Sequence, residues 1–71
     1  MKNVEKVTLK VEGMSCNHCK NSVEMALLGV DGVEAAVVDL ARGEARVTYD
    51  PGRTTVAALR EAVQAAGYAV R

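Results

Sequence analysis

The chain has 71 residues, about half of them apolar, which is enough for one domain with a modest core and too few for two. Nine basic and nine acidic side chains balance, so no overall field favours binding to nucleic acid or to a membrane surface. No apolar run approaches the ~20 residues of a membrane span, so we expect no direct insertion into a membrane. We therefore predict a single domain over residues 1–71.

The N-terminal segment indicates where the protein resides. Residues 1–6 carry charges and lead directly into an alternating pattern, so they lack the apolar stretch of a secretory signal. We therefore expect a cytoplasmic protein. In a reducing cytosol, two close cysteines more often bind a metal or act as a redox pair than form a structural disulfide.

The first half of the chain predicts a strand followed by a helix. Val7, Leu9 and Val11 alternate with polar residues, which is the period of a strand with one buried face. Gly13 then permits a turn. From Cys19 onward, apolar residues recur at spacings of three and four, which predicts an amphipathic helix that ends near residues 29–32: Val23, Ala26, Leu27 and Val30.

The second half predicts a hairpin, a second helix and a short last strand. Alternating apolar residues over 36–40 and 45–49 flank a short loop containing glycine, and Pro51 follows in a turn. A helix begins at Thr54 or Thr55, either of which could cap it, and ends before Gly67. Residues 68–70 form the final strand. This order is the α+β, ferredoxin-like βαββαβ fold, with a four-stranded antiparallel sheet and both helices on one face.

Cys16 and Cys19 are the only cysteines, and they lie where the first strand gives way to the first helix. The first turn of a helix presents unpaired N–H groups and partial positive charge, both of which favour a thiolate. A Cys-x-x-Cys pair occurs in zinc ribbons, in redox proteins and in soft-metal carriers. Structural zinc takes four ligands, whereas this segment offers two thiols and His18. Because we expect His18 to point away from a metal held between the cysteines, a closed zinc site within one monomer is not expected. Soft Cu(I) is satisfied by two thiolates.

The stretch Gly13-Met14-Ser15-Cys16-x-x-Cys19 resembles the signature of the heavy-metal-associated domain family, and the likeness extends over nearly the whole chain. Within that family the chain looks most like the free-standing bacterial copper chaperones. The resemblance implies a non-enzymatic carrier in which Cys16 and Cys19 bind one Cu(I) and pass it to similar domains of a copper-transporting P-type ATPase.

The resemblance also gives expectations for four neighbouring residues. It implies that Met14 anchors the metal loop in the core, and its place in the inward set of the first strand agrees. Zinc-exporting relatives carry an acidic residue where this chain has Ser15, a loop or capping residue, so the serine favours Cu(I). Tyr68 is expected in the loop beside the metal. His18 is either a third ligand or an exposed residue at the helix start.

Several alternatives stay open at this point. A thiol oxidoreductase also needs an accessible thiol of lowered pKa, although the chain is short for a thioredoxin-like domain. Related carriers bind Hg(II) or Zn(II), and the chain could be an excised domain of a copper ATPase. We expect a monomer without copper, while a shared ion would join two molecules by gaining further sulfur ligands.

Overall fold

The computed structural model describes residues 3–71, and its elements follow the predicted order. They are β1 Glu5–Glu12, α1 Asn17–Leu28, β2 Val33–Asp39, β3 Glu44–Tyr49, α2 Val56–Ala65 and β4 Ala69–Val70. Met1 and Lys2, which belong to the charged N-terminal segment, lie outside the described residues. Neither α1 nor α2 is long and apolar enough to cross a membrane, and the part of the chain described here contains no other helix.

The four strands form one sheet in the order β2-β3-β1-β4. Every neighbouring pair is antiparallel, and β1 pairs with β3 along most of its length. The short β4 pairs only with the last two residues of β1, Val11 and Glu12. This arrangement brings the end of β1, the β2–β3 hairpin and the start of β4 to one end of the molecule, where both cysteines also lie.

A single core lies between the sheet and the helices. Buried residues alternate along β1 and β3, and they share one cluster with Val38 of β2 and two residues from each helix: Leu9, Val11, Val38, Ala45, Val47, Tyr49, Val23, Leu27, Leu59 and Val63. Side chains two apart on a strand point to the same face of the sheet, so the buried strand residues all lie on one face. Because residues of both helices belong to the same cluster, both helices pack on that face. The predicted ferredoxin-like architecture is therefore confirmed.

The structure places several element boundaries differently from the sequence pattern. Helix α1 begins at Asn17, two residues before the predicted start at Cys19. Strand β2 covers Val33–Asp39, so it begins three residues before and ends one residue before the predicted strand over 36–40. A register shift between Val33 and Ala35 breaks the period of two that the sequence analysis used. Tyr68 lies just before β4 rather than within it.

The N-cap residue of α2 explains where this helix begins. The Thr55 side chain accepts a hydrogen bond from the backbone N–H of Ala58 at 3.2 Å, as an N-cap residue does. Thr54 is buried instead, with 8% of its surface exposed. Of the two threonines that could cap this helix, Thr55 is the one that does.

Helix α1 also protects the free edge of β2. The carboxylate of Glu24 accepts a hydrogen bond from the backbone N–H of Val38 at 2.9 Å. Because β2 is the outermost strand, this N–H would otherwise be free to pair with another chain. The contact fixes α1 against β2 and so fixes the helix that carries the cysteines.

Candidate metal site

Cys16 is the N-cap residue of α1. Its backbone is extended, with φ −155° and ψ 173°, and its carbonyl accepts the first helical hydrogen bond from the N–H of Lys20 at 3.1 Å. Its side chain makes no capping hydrogen bond, and the residue is exposed. The thiol of Cys16 therefore lies at the surface of the molecule.

Cys19 lies in the first turn of α1 and faces Cys16. The two sulfurs are 3.6 Å apart, with the Cys16 thiol donating to the Cys19 sulfur. Both cysteines are free, and Cys19 is half-buried where Cys16 is exposed. The predicted pair is thus brought together, but its two members occupy different environments.

The environment of Cys19 favours its thiolate. Hydrogen bonds lower the pKa of this thiol from its usual value near 9.0 to about 6, first the one from the Tyr68 side chain and then those from the Ser15 backbone and the Cys16 side chain. Partial burial opposes the shift. No acidic residue lies in the first turn of α1, so nothing there offsets the positive end of the helix dipole. These contacts therefore favour the thiolate form of Cys19 at neutral pH.

Tyr68 reaches Cys19 from the loop after α2. Its backbone N–H donates to the carbonyl of Val63 at 3.3 Å, and its ring packs against the core. A Cβ added to Gly13, whose φ is +90°, would lie 3.7 Å from Cδ1 of Tyr68. The aromatic ring therefore lies beside the loop that carries the cysteines, as the sequence analysis predicted.

Ser22 is a residue of the site that the sequence analysis missed. Its side chain affects the pKa of the Tyr68 hydroxyl, as the side chain of Cys19 does. The bond to Cys19 raises the pKa of the Tyr68 hydroxyl, and the bond from Ser22 partly lowers it. Ser22 follows Cys19 by three residues on α1, and that helical spacing is the signal that could have identified it.

The other predicted residues occupy distinct positions. Met14 is half-buried and packs against the core, while Ser15 is exposed and contributes its backbone N–H to Cys19. His18 is exposed. Across residues 3–71, no three His, Cys, Asp or Glu side chains form a group that could hold a metal ion, so His18 does not join the two cysteines. The site offers two sulfurs and no third side-chain ligand of these types.

The fold and this site define a known class of metal-binding domain. The model of the heavy-metal-associated domain matches residues 8–69. The chain therefore belongs to the heavy-metal-associated domain family, as its motif predicted.

The chain is similar to proteins named for copper. A protein of Staphylococcus haemolyticus named copper chaperone CopZ is 48% identical over 63 residues, which are 89% of this chain and 93% of that protein. A solved structure described as the CopZ metallochaperone has a TM-score of 0.92 at 43% identity, covering 94% of this chain and 100% of the other. The Cu(I)-loaded N-terminal domain of a potential copper-translocating P-type ATPase from Bacillus subtilis has a TM-score of 0.91 at 36% identity, covering 97% and 86%.

Proposed function

We propose that the protein is a cytoplasmic copper chaperone that carries one Cu(I) between the thiolates of Cys16 and Cys19. The observation that carries this proposal is the pair of free sulfurs 3.6 Å apart at the exposed start of α1. Its similarity to proteins named copper chaperone CopZ supports copper as the cargo. Its role is carriage of the ion, without catalytic turnover.

The donor set favours Cu(I) over harder or more demanding ions. Thiolates are soft ligands that suit Cu(I), whereas structural zinc takes four ligands in a tetrahedron. Two thiolates and one Cu(I) leave a net charge of −1. The N-terminus of α1 stabilises such a charge by about 0.3–1 kcal/mol at an exposed site. A Zn(II) carrier would need ligands from outside the two cysteines.

Binding requires the two sulfurs to separate. With metal–thiolate bonds of about 2.3 Å, as at zinc, two sulfurs on opposite sides of an ion lie about 4.6 Å apart. The observed separation is 3.6 Å. Cys19 is held by Tyr68 and by backbone N–H groups, whereas the Cys16 side chain has no capping bond. Cys16 is therefore the sulfur that moves outward when copper enters.

This difference between the two cysteines also predicts the order in which they release copper to a partner. A thiolate of the partner forms a bond to copper on the exposed side, the bond to Cys16 breaks, and the released thiolate takes up a proton according to the pH. A second partner thiolate then replaces Cys19. No electron is transferred, and copper remains Cu(I) throughout. Because donor and acceptor ligands are alike, the direction of transfer is set by the supply of empty partner sites.

The partner we propose is the metal-binding domain of a copper-transporting P-type ATPase. The support is that a domain from such an ATPase, solved with Cu(I), shares this fold at a TM-score of 0.91. A further domain described as the copper-binding domain of a P-type ATPase gives 0.91 at 38% identity. We expect the apo protein to be a monomer, and copper to join two molecules only where a partner domain is absent.

Transfer to that partner is the test of this function. The copper-loaded chain is mixed anaerobically with the apo N-terminal domain of the Bacillus subtilis ATPase, and the distribution of Cu(I) is read by native mass spectrometry. We expect copper to move between the two within seconds and to divide between them. Copper that stays on the chain while a small chelator removes it readily would contradict the proposed partner.

One observation favours a second chemistry, thiol redox exchange. A thiol with a pKa of about 6 next to another free thiol is suited to attack on a disulfide. An insulin reduction assay separates this function from copper carriage. We expect no activity above that of free thiol at equal concentration, and turnover at the rate of a thiol oxidoreductase would favour the enzyme.

A further inference from the structure

Strand β2 forms one edge of the sheet, and no other strand within residues 3–71 pairs with that edge. The middle of the strand is the uncharged run Ala35-Ala36-Val37-Val38. Its two valines favour extended backbone, and an uncharged run of this kind on an edge is a common site for pairing with another chain. The edge of β2 therefore needs a feature that keeps other chains away.

The backbone of β2 presents hydrogen-bonding groups outward at regular intervals. The N–H of Val38 points away from β3, because it donates to the carboxylate of Glu24 on α1 at 2.9 Å. In an antiparallel pair, successive residues alternately direct both backbone groups toward the neighbouring strand or away from it. Ala36 therefore also presents its N–H and C=O outward, while those of Val37 face β3. This spacing matches the one that an added antiparallel strand requires.

The rest of the chain leaves part of this edge open. A groove of about 360 Å³ lies between the start of α1 and the second half of β2, and Lys20 and residues 37–40 are among those that line it. Because Val38 lines this groove, the carboxylate that accepts from its N–H borders the groove as well. Glu24 is half-buried and so reaches from α1 to the strand edge. An incoming strand would have to displace this carboxylate.

We propose that Glu24 keeps the chain from pairing with a second copy of itself along β2. Its carboxylate occupies the N–H of Val38 on the side of β2 where another strand would lie. A second copy is the expected partner, since it presents the same uncharged run with the same spacing of donors and acceptors. Without Glu24, two β2 edges pair antiparallel about a twofold axis. This pairing needs neither copper nor a disulfide, so it is independent of the proposed function.

The oligomeric state of the metal-free, reduced chain provides the first test. Sedimentation equilibrium over a series of concentrations should show a monomer for the wild type and a growing fraction of dimer for Glu24→Ala. Glu24→Gln keeps an oxygen that can accept from Val38 and should dimerise less than Glu24→Ala. The matched control is Glu61→Ala, which removes an exposed carboxylate from α2 and should remain a monomer.

Hydrogen exchange of the Val38 amide, followed by NMR, provides the second test. In dilute Glu24→Ala this amide should exchange about tenfold or more faster than in the wild type, as expected for a lost hydrogen bond to a charged group. At high concentration of the variant, its protection should return, because a carbonyl of the second copy replaces the carboxylate. The amide of Val37, which faces β3, should exchange alike in both proteins at every concentration.

A second substitution on the strand shows whether β2 is the pairing surface. Val37 has 59% of its surface exposed, so Val37→Lys should be tolerated, and a charge on an edge strand opposes pairing. Glu24→Ala combined with Val37→Lys should be a monomer. A Glu24→Ala variant that stays monomeric at every concentration, or a dimer that persists after Val37→Lys, would overturn the proposal. If Glu24→Ala precipitates, Val37→Lys should restore a soluble, folded chain, and a double variant that also precipitates would overturn the proposal equally.

Discussion

The sulfurs of Cys16 and Cys19 lie 3.6 Å apart, and a hydrogen bond from the Tyr68 side chain is the largest cause of the lowered pKa of the Cys19 thiol. Cys16 has no comparable support and lies at the surface. The two cysteines of the motif are therefore chemically unequal before any metal binds. One is held as a thiolate at neutral pH, and the other is placed to move and to meet a partner.

The pH dependence of thiol reactivity follows from this contact. Since the thiolate is the nucleophile, alkylation of Cys19 should increase with a midpoint near pH 6, well below the value near 9.0 of an unperturbed thiol. Iodoacetamide labelling across pH 4–10, with each cysteine assigned by mass spectrometry, measures the midpoint. Tyr68→Phe should raise it, whereas Tyr49→Phe, which removes a hydroxyl elsewhere in the core, should leave it unchanged.

The same shift affects the stability of the metal-free protein. Because the pKa of Cys19 is lower in the folded chain than in the unfolded chain, its contribution is fully present above pH 9 and is lost as the pH falls through 6. The contribution of Cys19 to the free energy of unfolding in urea should therefore rise between pH 6 and pH 9. Replacing Cys19 by Ala should remove this part of the pH dependence, and an identical slope in both proteins would contradict it.

The core gives a prediction for stability alone. Leu59 is fully buried between α2 and the sheet, so Leu59→Ala should lower the free energy of unfolding by about 2–5 kcal/mol. Leu28 lies at the end of α1 with 51% of its surface exposed. Leu28→Ala should therefore change the free energy of unfolding by less than about 0.5 kcal/mol. Urea denaturation measures both, and equal losses would show that the core is not where the structure places it.

A glycine in the turn before β2 gives a second structural prediction. Gly32 has a φ of +102°, and a Cβ there would lie 2.8 Å from the Cβ of Arg53. Gly32→Ala should therefore cost about 1–3 kcal/mol in unfolding free energy. The matched control is Gly29→Ala, since Gly29 has a helical φ of −75° and its nearest contact is 3.4 Å. A Gly32→Ala variant as stable as this control would contradict the tight turn.

Much of the fold could be predicted from the sequence, because its signals are local. Val7, Leu9 and Val11 repeat every two residues, and the two helices repeat every three or four. The start of β2 could not be predicted, because the register shift at Val33 and Ala35 interrupts the repeat with no composition signal.

The candidate site was predictable to a similar degree. The cysteines were found from their motif, and Tyr68 from the resemblance to the family. Ser22 was not found, because a serine on a helix is common and its contact depends on how the loop after α2 packs against α1. The difference between Cys16 and Cys19 also depends on this packing rather than on their spacing.

Stoichiometric binding of Cu(I) by this cysteine pair is the measurement that tests the proposed function most directly. The reduced chain is titrated anaerobically with Cu(I) in the presence of a chromophoric chelator, and the products are weighed by native mass spectrometry. We expect one copper per chain, with high affinity lost in both Cys16→Ala and Cys19→Ala. His18→Ala, which alters the exposed residue between them, should bind as the wild type does. Unchanged affinity in either cysteine variant would contradict the two-thiolate site.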